Sequence, residues 1–265
     1  MKKLHFGKIL LAGAFALSSM FAFSTAAQAE MSYNVGIHSK YLLRGIFEEN
    51  SGAAIQGGAD YSHDSGFYAG WWFSSLGYSY EKNGTDGSGS TNTDQDGKTN
   101  TSGFENDFYA GWSHEFKNGL GLSVGGIQYV YVNVDESDLL EAVATVSYAD
   151  FYVGFQRLLT DGWWGNSGDT YWKAGYSFAL PQDIGLALDY GYYTYEKSDN
   201  AQLGGKTASN QVTTSSSGFR HFNVTASKPL GKSGAEVYIQ YTFAGEDRTK
   251  TDYNDSMVAG ITYGF

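Results

Sequence analysis

Few residues of this chain could carry catalysis. The 265-residue sequence contains no cysteine and five histidines, of which His5 lies at the amino terminus. His63-Asp64-Ser65 places an imidazole two positions from a hydroxyl, and a base beside a hydroxyl is what a nucleophilic hydrolase requires. The triplet is followed by Gly66, and the four residues together have the composition of a tight turn. We interpret them as a turn and expect no enzyme and no cofactor.

A second motif resembles the start of a calcium-binding loop. Asn92-Thr93-Asp94-Gln95-Asp96-Gly97 has oxygen-bearing side chains at alternate positions, but the position that should supply a bidentate glutamate is Gly103. A solvated acidic loop is therefore the favoured interpretation, and a weak loop calcium site is the alternative. We interpret His38 and His221 as pore or structural residues and not as a metal pair. No metal site is expected.

Most other polar side chains recur at every second position of short segments that are otherwise apolar. In residues 139–148, for example, Glu141 and Thr145 alternate with leucine, alanine and valine. Successive side chains of a strand point to opposite faces, so this pattern predicts strands with one polar and one apolar face. Twelve such segments occur: 33–45, 53–62, 67–75, 104–116, 120–131, 139–148, 151–158, 171–180, 184–193, 220–228, 235–243 and a last one that ends at Phe265. The register of 120–131 is ambiguous, and we expect a bulge near Gly125-Gly126.

The connections between these segments alternate in length. Five are tight, at 63–66, 117–119, 149–150, 181–183 and 231–234, and they carry the residues that tight turns demand. The others are mostly longer, at 46–52, 76–103, 132–138, 159–170, 194–219 and 244–256. Short periplasmic turns that alternate with longer external loops are typical of transmembrane β-barrels. The polar stretches 83–103 and 198–218 are predicted to be external loops.

The amino terminus predicts export. Lys2, Lys3 and Lys8 precede an apolar stretch at 9–23, and Ala27-Gln28-Ala29 forms a small-x-small cleavage site. We assign 1–29 to a signal peptide and 30–265 to a single domain; a membrane anchor helix is the alternative. Cleavage would remove three lysines and leave 236 residues with 14 basic and 28 acidic side chains, a net charge of −14. Such a charge argues against a nucleic-acid partner.

Export and strand length favour a barrel over a soluble β-sandwich, although both architectures alternate. A tilted strand needs about 9–11 residues to cross a bilayer, which is close to the observed repeat. Closure of a barrel also removes the unpaired strand edges that lipid would make very costly. Aromatic residues cluster at strand ends, as girdles at bilayer interfaces do: Phe67, Tyr148, Phe151, Tyr192, Tyr263 and Phe265. The sequence therefore predicts an all-β, antiparallel, twelve-stranded barrel in the outer membrane of a Gram-negative bacterium.

The amino-terminal third also resembles a known family. The segments 32–36 (SYNVG), 39–46 (SKYLLRGI), 55–61 (IQGGADY) and 65–71 (SGFYAGW) are similar to the opening of the TorF-type porin family. Tyr129, Tyr131, Glu141 and the stretch 191–193 follow in a compatible order. The chain departs from the family at Lys40, where an acidic residue is expected, and in a longer 76–103 loop. The resemblance implies an outer-membrane channel.

The polar face of the strands is the predicted pore lining. It consists of His38, Lys40, Arg44, Gln56, Asp60, Asp107, Glu141, Gln156, Lys173, Asp189, His221 and Glu236. Arg44 could pair with Glu141 or Asp60, and inward Tyr68, Trp72, Tyr109, Tyr152 and Tyr238 would narrow the pore. With Glu105 included, carboxylates outnumber cations on this face, so we expect a mild preference for cations.

These features predict a channel for passive diffusion of small polar solutes or ions. The alternative is a plugged barrel that acts as a receptor or adhesin through its long loops, and an outer-membrane enzyme is a more distant third. The expected partners are outer-membrane lipid, small polar solutes, and the barrel-assembly machinery, which would recognise the final strand ending in Phe265.

Overall fold

Twelve antiparallel strands close into one barrel. The computed structural model describes residues 29–47, 52–77, 81–82, 90–91, 103–134, 137–162, 164–196, 202–203, 206–207 and 213–265. The barrel strands are β1 (Glu30–His38), β2 (Ala54–Ser62), β3 (Phe67–Ser75), β4 (Phe104–Glu115), β5 (Leu120–Val132), β6 (Leu139–Tyr148), β7 (Phe151–Leu158), β8 (Thr170–Leu180), β9 (Ile184–Thr194), β10 (Ser217–Pro229), β11 (Ala235–Ala244) and β12 (Ser256–Gly264). Each pairs with its neighbour in sequence, and β1 pairs with β12, so that Ile37 lies opposite Ile261. The predicted fold class is confirmed.

The two ends of the barrel differ as the connection lengths predict. The five tight turns and both strand termini, at Glu30 and Gly264, lie at one end, which we call the turn end. Ala149, Gln182 and Asp183 adopt positive φ angles of 51°, 69° and 59° there, as tight reversals between strands require. The longer connections lie at the opposite end, the loop end. Residues 1–28 of the predicted signal peptide and the calcium-like motif at 92–97 lie outside the described residues.

The outside of the barrel is apolar and the inside is polar, the inverse of a soluble protein. Ile37, Tyr148, Met257 and Phe265 are 56%, 60%, 60% and 67% exposed, whereas Glu105 and Asp107 are completely buried in the interior. Outward and inward residues alternate along the strands, which is the arrangement that lipid-facing barrels show. The described residues contain no helix that is long and apolar enough to cross a membrane.

Strand register departs from prediction in two places. The pairing of β5 with β4 and β6 is continuous through Gly125 and Gly126, so the bulge expected there is wrong. A register shift occurs instead where Gly191 and Tyr192 of β9 face β10: Gly191 lies opposite His221 and Tyr192 opposite Phe219, which leaves Arg220 as the extra residue. A bulge of this kind breaks the alternation, and Arg220 and His221 are consecutive buried residues.

Candidate functional site: the barrel interior

Ten of the twelve predicted lining residues occupy inward positions of barrel strands. They are His38, Gln56, Asp60, Asp107, Glu141, Gln156, Lys173, Asp189, His221 and Glu236, and all except the partly buried Asp60 are buried. Lys40 is an exposed residue of the bend that follows β1, so its assignment to a strand face is wrong. Arg44 does enter the interior, but by a different route from the one predicted.

Arg44 reaches the interior on a hairpin and not on a wall strand. The predicted segment 33–45 ends at His38, and residues 42–47 form a separate ladder in which Leu42–Leu43 pairs with Ile46–Phe47. We call residues 41–47, this ladder together with the preceding Tyr41, the inner hairpin. At its tip, Arg44 and Gly45 both have positive φ angles, of 48° and 81°, as a two-residue hairpin turn of the primed type requires. A Cβ atom at Gly45 would lie 2.6 Å from the Cβ atom of His221. Only glycine therefore fits at this close approach of the hairpin tip to β10.

The guanidinium of Arg44 binds the wall opposite β1. Nη1 and Nη2 donate to the two carboxylate oxygens of Glu141 at 3.0 Å and 2.7 Å, which is the bidentate geometry of a strong ion pair. Arg44 also donates to Tyr193 at 2.7 Å, Gln156 at 3.0 Å and Tyr129 at 3.2 Å. Its charge centre lies 4.7 Å from the centre of the Tyr171 ring. The suggested pairing of Arg44 with Glu141 is therefore present, whereas Asp60 accepts a hydrogen bond from Tyr109 instead.

The stem of the inner hairpin packs against the wall beside the contacts of Arg44. Tyr41, which the alternation predicts to face outward, is only 4% exposed, lies 5.6 Å from the Trp72 ring and donates to Glu105 at 3.1 Å. It belongs to a buried apolar cluster that includes Ile127 and Leu139. The hairpin follows β1 and contacts the wall from β3 through β10, near the loop end.

Acidic side chains collect on the wall around the hairpin. Glu105 and Asp107 occupy successive inward positions of β4, and both are 0% exposed. The carboxyl group of Asp107 lies beside that of Glu105. Glu141 lies two strands away on β6, where its carboxylate is paired with Arg44. Cations face these groups from the far wall: Lys173 on β8 is 5% exposed and Arg220 on β10 is 7% exposed.

Arg220 was not among the predicted lining residues. In strict alternation it shares the parity of Phe222 and would face lipid, but the bulge turns it inward. Its Nε atom donates to the backbone carbonyl of Arg44 at 3.0 Å, and its charge centre lies 4.7 Å from the Tyr253 ring and 5.6 Å from the Tyr193 ring. An arginine on the lipid parity of a strand is costly, and that anomaly is the signal that could have identified it.

A second buried ion pair joins the loops above the hairpin. Arg248, between β11 and β12, pairs with Asp169 in the loop before β8, and the Asp169 carboxylate also accepts the backbone N–H of Glu196. Arg248 lies 5.0 Å from the centre of the Tyr195 ring. Burial raises the pKa of Tyr195 above that of a solvated tyrosine. This network fastens the loops on the β8–β12 side of the loop end.

Inward tyrosines near the turn end lie flat against the wall. A Cβ atom added to Gly70 would overlap the ring of Tyr109, and one added to Gly175 would overlap the ring of Tyr152. Tyr68 covers Gly111 and Gly125 in the same way, and Tyr238 covers Gly260. Tyr109 donates to Asp60, and Tyr152 donates to Asp189 at 2.5 Å. These four rings were predicted to narrow the pore, but they form part of its wall because the glycines beneath them provide the space.

The catalytic and metal candidates have simpler roles. His63 is exposed at the turn end, where its Nδ1 atom lies 2.9 Å from the Ser65 hydroxyl and accepts the Ser65 backbone N–H at 3.1 Å. The imidazole therefore closes the turn, as the turn interpretation predicts. His38 contacts the Tyr238 hydroxyl at 2.6 Å, and His221 contacts the Tyr171 hydroxyl at 2.8 Å. Within the described ranges, no group of three or more histidine or acidic side chains could hold a metal ion.

Comparison with solved structures supports the fold. The KdgM porin is 9% identical with a TM-score of 0.50, and the match covers 88% of this chain and 99% of that one. The NanC porin is also 9% identical, with a TM-score of 0.49 and coverage of 88% and 99%. The outer membrane phospholipase of Salmonella typhi is 11% identical, with a TM-score of 0.42 and coverage of 88% and 90%. At such identities, the likeness to the KdgM porin concerns the fold alone.

Sequence comparison assigns the family. No curated protein matches the sequence. A family model described as a bacterial protein of unknown function (Gcw_chp) matches residues 22–258, which include every strand of the barrel except the end of β12. The chain therefore belongs to the Gcw_chp family of bacterial proteins.

Proposed function

We propose that this protein is a porin-like channel through which small polar solutes or ions diffuse passively. The observation that carries the proposal is the lining of the turn-end half of the barrel. There the inward rings of Tyr109 and Tyr152 lie flat on glycines, and their hydroxyls are bound to Asp60 and Asp189. An interior lined by polar and charged side chains, with its large rings packed over wall glycines, is suited to a path for polar solutes.

The outer membrane of a Gram-negative bacterium is the proposed location. The continuous apolar exterior would be unstable in water and is suited to lipid. The barrel fold shared with the KdgM porin and the predicted signal peptide agree with this location. We propose that barrel-assembly machinery recognises β12 and the terminal Phe265, which is 67% exposed. The resemblance to TorF-type porins stays a prediction.

The proposed channel has a mild preference for cations. Its lining includes six carboxylates, on Asp60, Glu105, Asp107, Glu141, Asp189 and Glu236. The buried cations around the same lumen are Arg44, Lys173 and Arg220, since Lys40 is exposed and Arg248 is paired with Asp169 in the loops. An excess of negative charge along a narrow polar path attracts cations and repels anions.

A second candidate function is that of a surface receptor or adhesin. The inner hairpin favours it, because the hairpin contacts the wall from β3 through β10 near the loop end. In a barrel closed at this level, activity would depend on the external loops. No arrangement among the described residues favours an outer-membrane enzyme.

Single-channel conductance of the refolded protein in a planar bilayer tests the channel. Circular dichroism and heat-modifiable gel mobility should first establish that the barrel has folded. Discrete conductance steps, with a reversal potential in a salt gradient that indicates cation preference, are the expected result. A bilayer that stays silent with folded wild-type protein and with folded Arg44→Ala protein would overturn the channel and favour the receptor; a reversal potential of the opposite sign would overturn the cation preference alone.

A further inference from the structure

We propose that the inner hairpin is a gate held closed by Arg44, and that its release exposes an acidic wall that admits cations. The inference rests on the proposed channel function and assigns its regulation and the class of solute that passes. The hairpin is the one described segment that leaves the barrel wall, crosses the interior and contacts the opposite strands, so a path along the axis must pass it or displace it.

The polar attachment of the hairpin tip depends on a single side chain. Arg44 alone donates five hydrogen bonds to four barrel side chains, from β5, β6, β7 and β9. Its backbone carbonyl accepts one more from Arg220. When one partner of a buried ion pair is removed, the other is left as an uncompensated charge, so the closed state should be unusually sensitive to changes at this position.

The rest of the hairpin is less firmly buried. Leu42, Leu43 and Ile46 are only partly buried, and the ladder between the two arms is two residues long. Tyr41 is the well-packed part of the segment, at 4% exposure. An element with little buried apolar surface opens at a lower free energy than the strands around it. The tip can therefore leave the wall without unfolding the barrel.

Release of the tip changes the charge of the interior. At this level Glu105, Asp107 and Glu141 face Arg44, Lys173 and Arg220, which is three carboxylates against three cations. Arg44 is carried by the hairpin, whereas the other five groups belong to wall strands. When the hairpin leaves, three carboxylates remain against two cations, and Glu141 loses its partner. The pore with the hairpin released should therefore select cations more strongly than the pore with the hairpin in place.

The test compares Arg44→Ala with wild-type protein in a planar bilayer. The matched control is Arg157→Ala, because Arg157 is also an arginine in an ion pair, but it lies on the exposed outside of β7. We expect Arg44→Ala to raise the open probability or conductance several-fold and to shift the reversal potential toward stronger cation selectivity. Arg157→Ala should leave both unchanged.

Two further variants keep the test decisive if Arg44→Ala folds poorly. Glu141→Gln also breaks the ion pair but removes a wall carboxylate, so it should raise conductance without the gain in cation selectivity. The exchange Arg44→Glu with Glu141→Arg should restore low conductance, since it reverses the pair and keeps both charges.

The outcomes separate the gate from the channel. Equal conductance and selectivity in wild type, Arg44→Ala and Glu141→Gln would overturn the gate and leave the channel intact. Conductance that rises in Arg44→Ala and falls again in the charge exchange would support both. Folded but silent protein in every variant would overturn the channel and, with it, the gate.

Discussion

The two halves of the barrel interior are built from the same alternating strands but fill their space in opposite ways. Near the loop end, the inner hairpin, which follows β1, folds into the interior and is held there by the buried ion pair between Arg44 and Glu141. Near the turn end, no described loop enters, and the wall covers its own glycines with rings such as those of Tyr109 and Tyr152. In the loop-end half, a separate hairpin occupies the interior. In the turn-end half, the inward rings of the wall strands pack over glycines of the same wall.

This difference teaches that large inward side chains are a poor measure of whether a barrel is blocked. A tyrosine above a glycine on the neighbouring strand occupies space that the missing side chain leaves free, so the ring projects less far into the lumen. The inner hairpin has no such space in the wall, and Arg44 at its tip reaches side chains of four strands. Substitutions in the two halves should therefore have different effects.

The largest expected effect is on stability, from Glu141→Ala. Loss of one partner of a buried pair costs about 3–5 kcal/mol when the remaining charge stays buried, and release of the hairpin tip sets how much of that cost is avoided. Urea unfolding in detergent, followed by tryptophan fluorescence, should show a clear fall in the midpoint. The control is Glu115→Ala, an exposed glutamate at the turn end of β4. Equal midpoints for the two variants would mean that the hairpin contributes nothing to stability.

Gly175→Ala should have the next largest effect, in the turn-end half. The added methyl would overlap the Tyr152 ring and force it off the wall and away from Asp189, at a cost of roughly 1–3 kcal/mol from overpacking. Because the displaced ring would enter the lumen, single-channel conductance should fall. Gly264→Ala is the matched control, since a Cβ atom there would have no neighbour closer than 3.9 Å. Unchanged conductance in Gly175→Ala would contradict the role of the glycine.

Neutralising the carboxylates of the turn-end half should alter selectivity more than stability. Asp60→Asn and Asp189→Asn keep the shape of each side chain and its contact with tyrosine but remove a negative charge from the lumen. Reversal potentials in a salt gradient should move toward neutrality, and further in the double variant. Asp183→Asn, in an exposed turn, should not change them. No shift in the double variant would show that permeating ions do not pass these residues.

The smallest effect is expected from Arg157→Ala on the outside of the barrel. Its ion pair with Glu196 is 3.7 Å long, and the two side chains are 50% and 55% exposed. Exposed pairs contribute about 0–1 kcal/mol, so the unfolding midpoint should hardly change. A fall in the unfolding midpoint as large as that of Glu141→Ala would show that burial does not separate the Arg157–Glu196 pair from the Arg44–Glu141 pair.

Much of this architecture is predictable from the residues. Alternation of large apolar and polar side chains predicts the barrel and the inward side of residues such as Glu141 and Lys173, because strand geometry alone sets which face each side chain occupies. The alternation fails at Tyr41, Arg44 and Arg220. Residues 39–47 continue the pattern of β1 but leave the wall at Ser39, and the only local sign of the bulge at Arg220 is an arginine at a lipid-facing position of the alternation.

The sequence by itself determined the strands, their two faces, the alternation of short and long connections, and the excess of acidic residues. These properties are local, since each follows from neighbouring side chains and from the period of an extended chain. Only the tertiary structure decided that Arg44 meets Glu141, 97 positions away, and that tyrosines rest on the glycines of adjacent strands. Such contacts depend on barrel closure and on which way a loop folds, and no local pattern of residues encodes either.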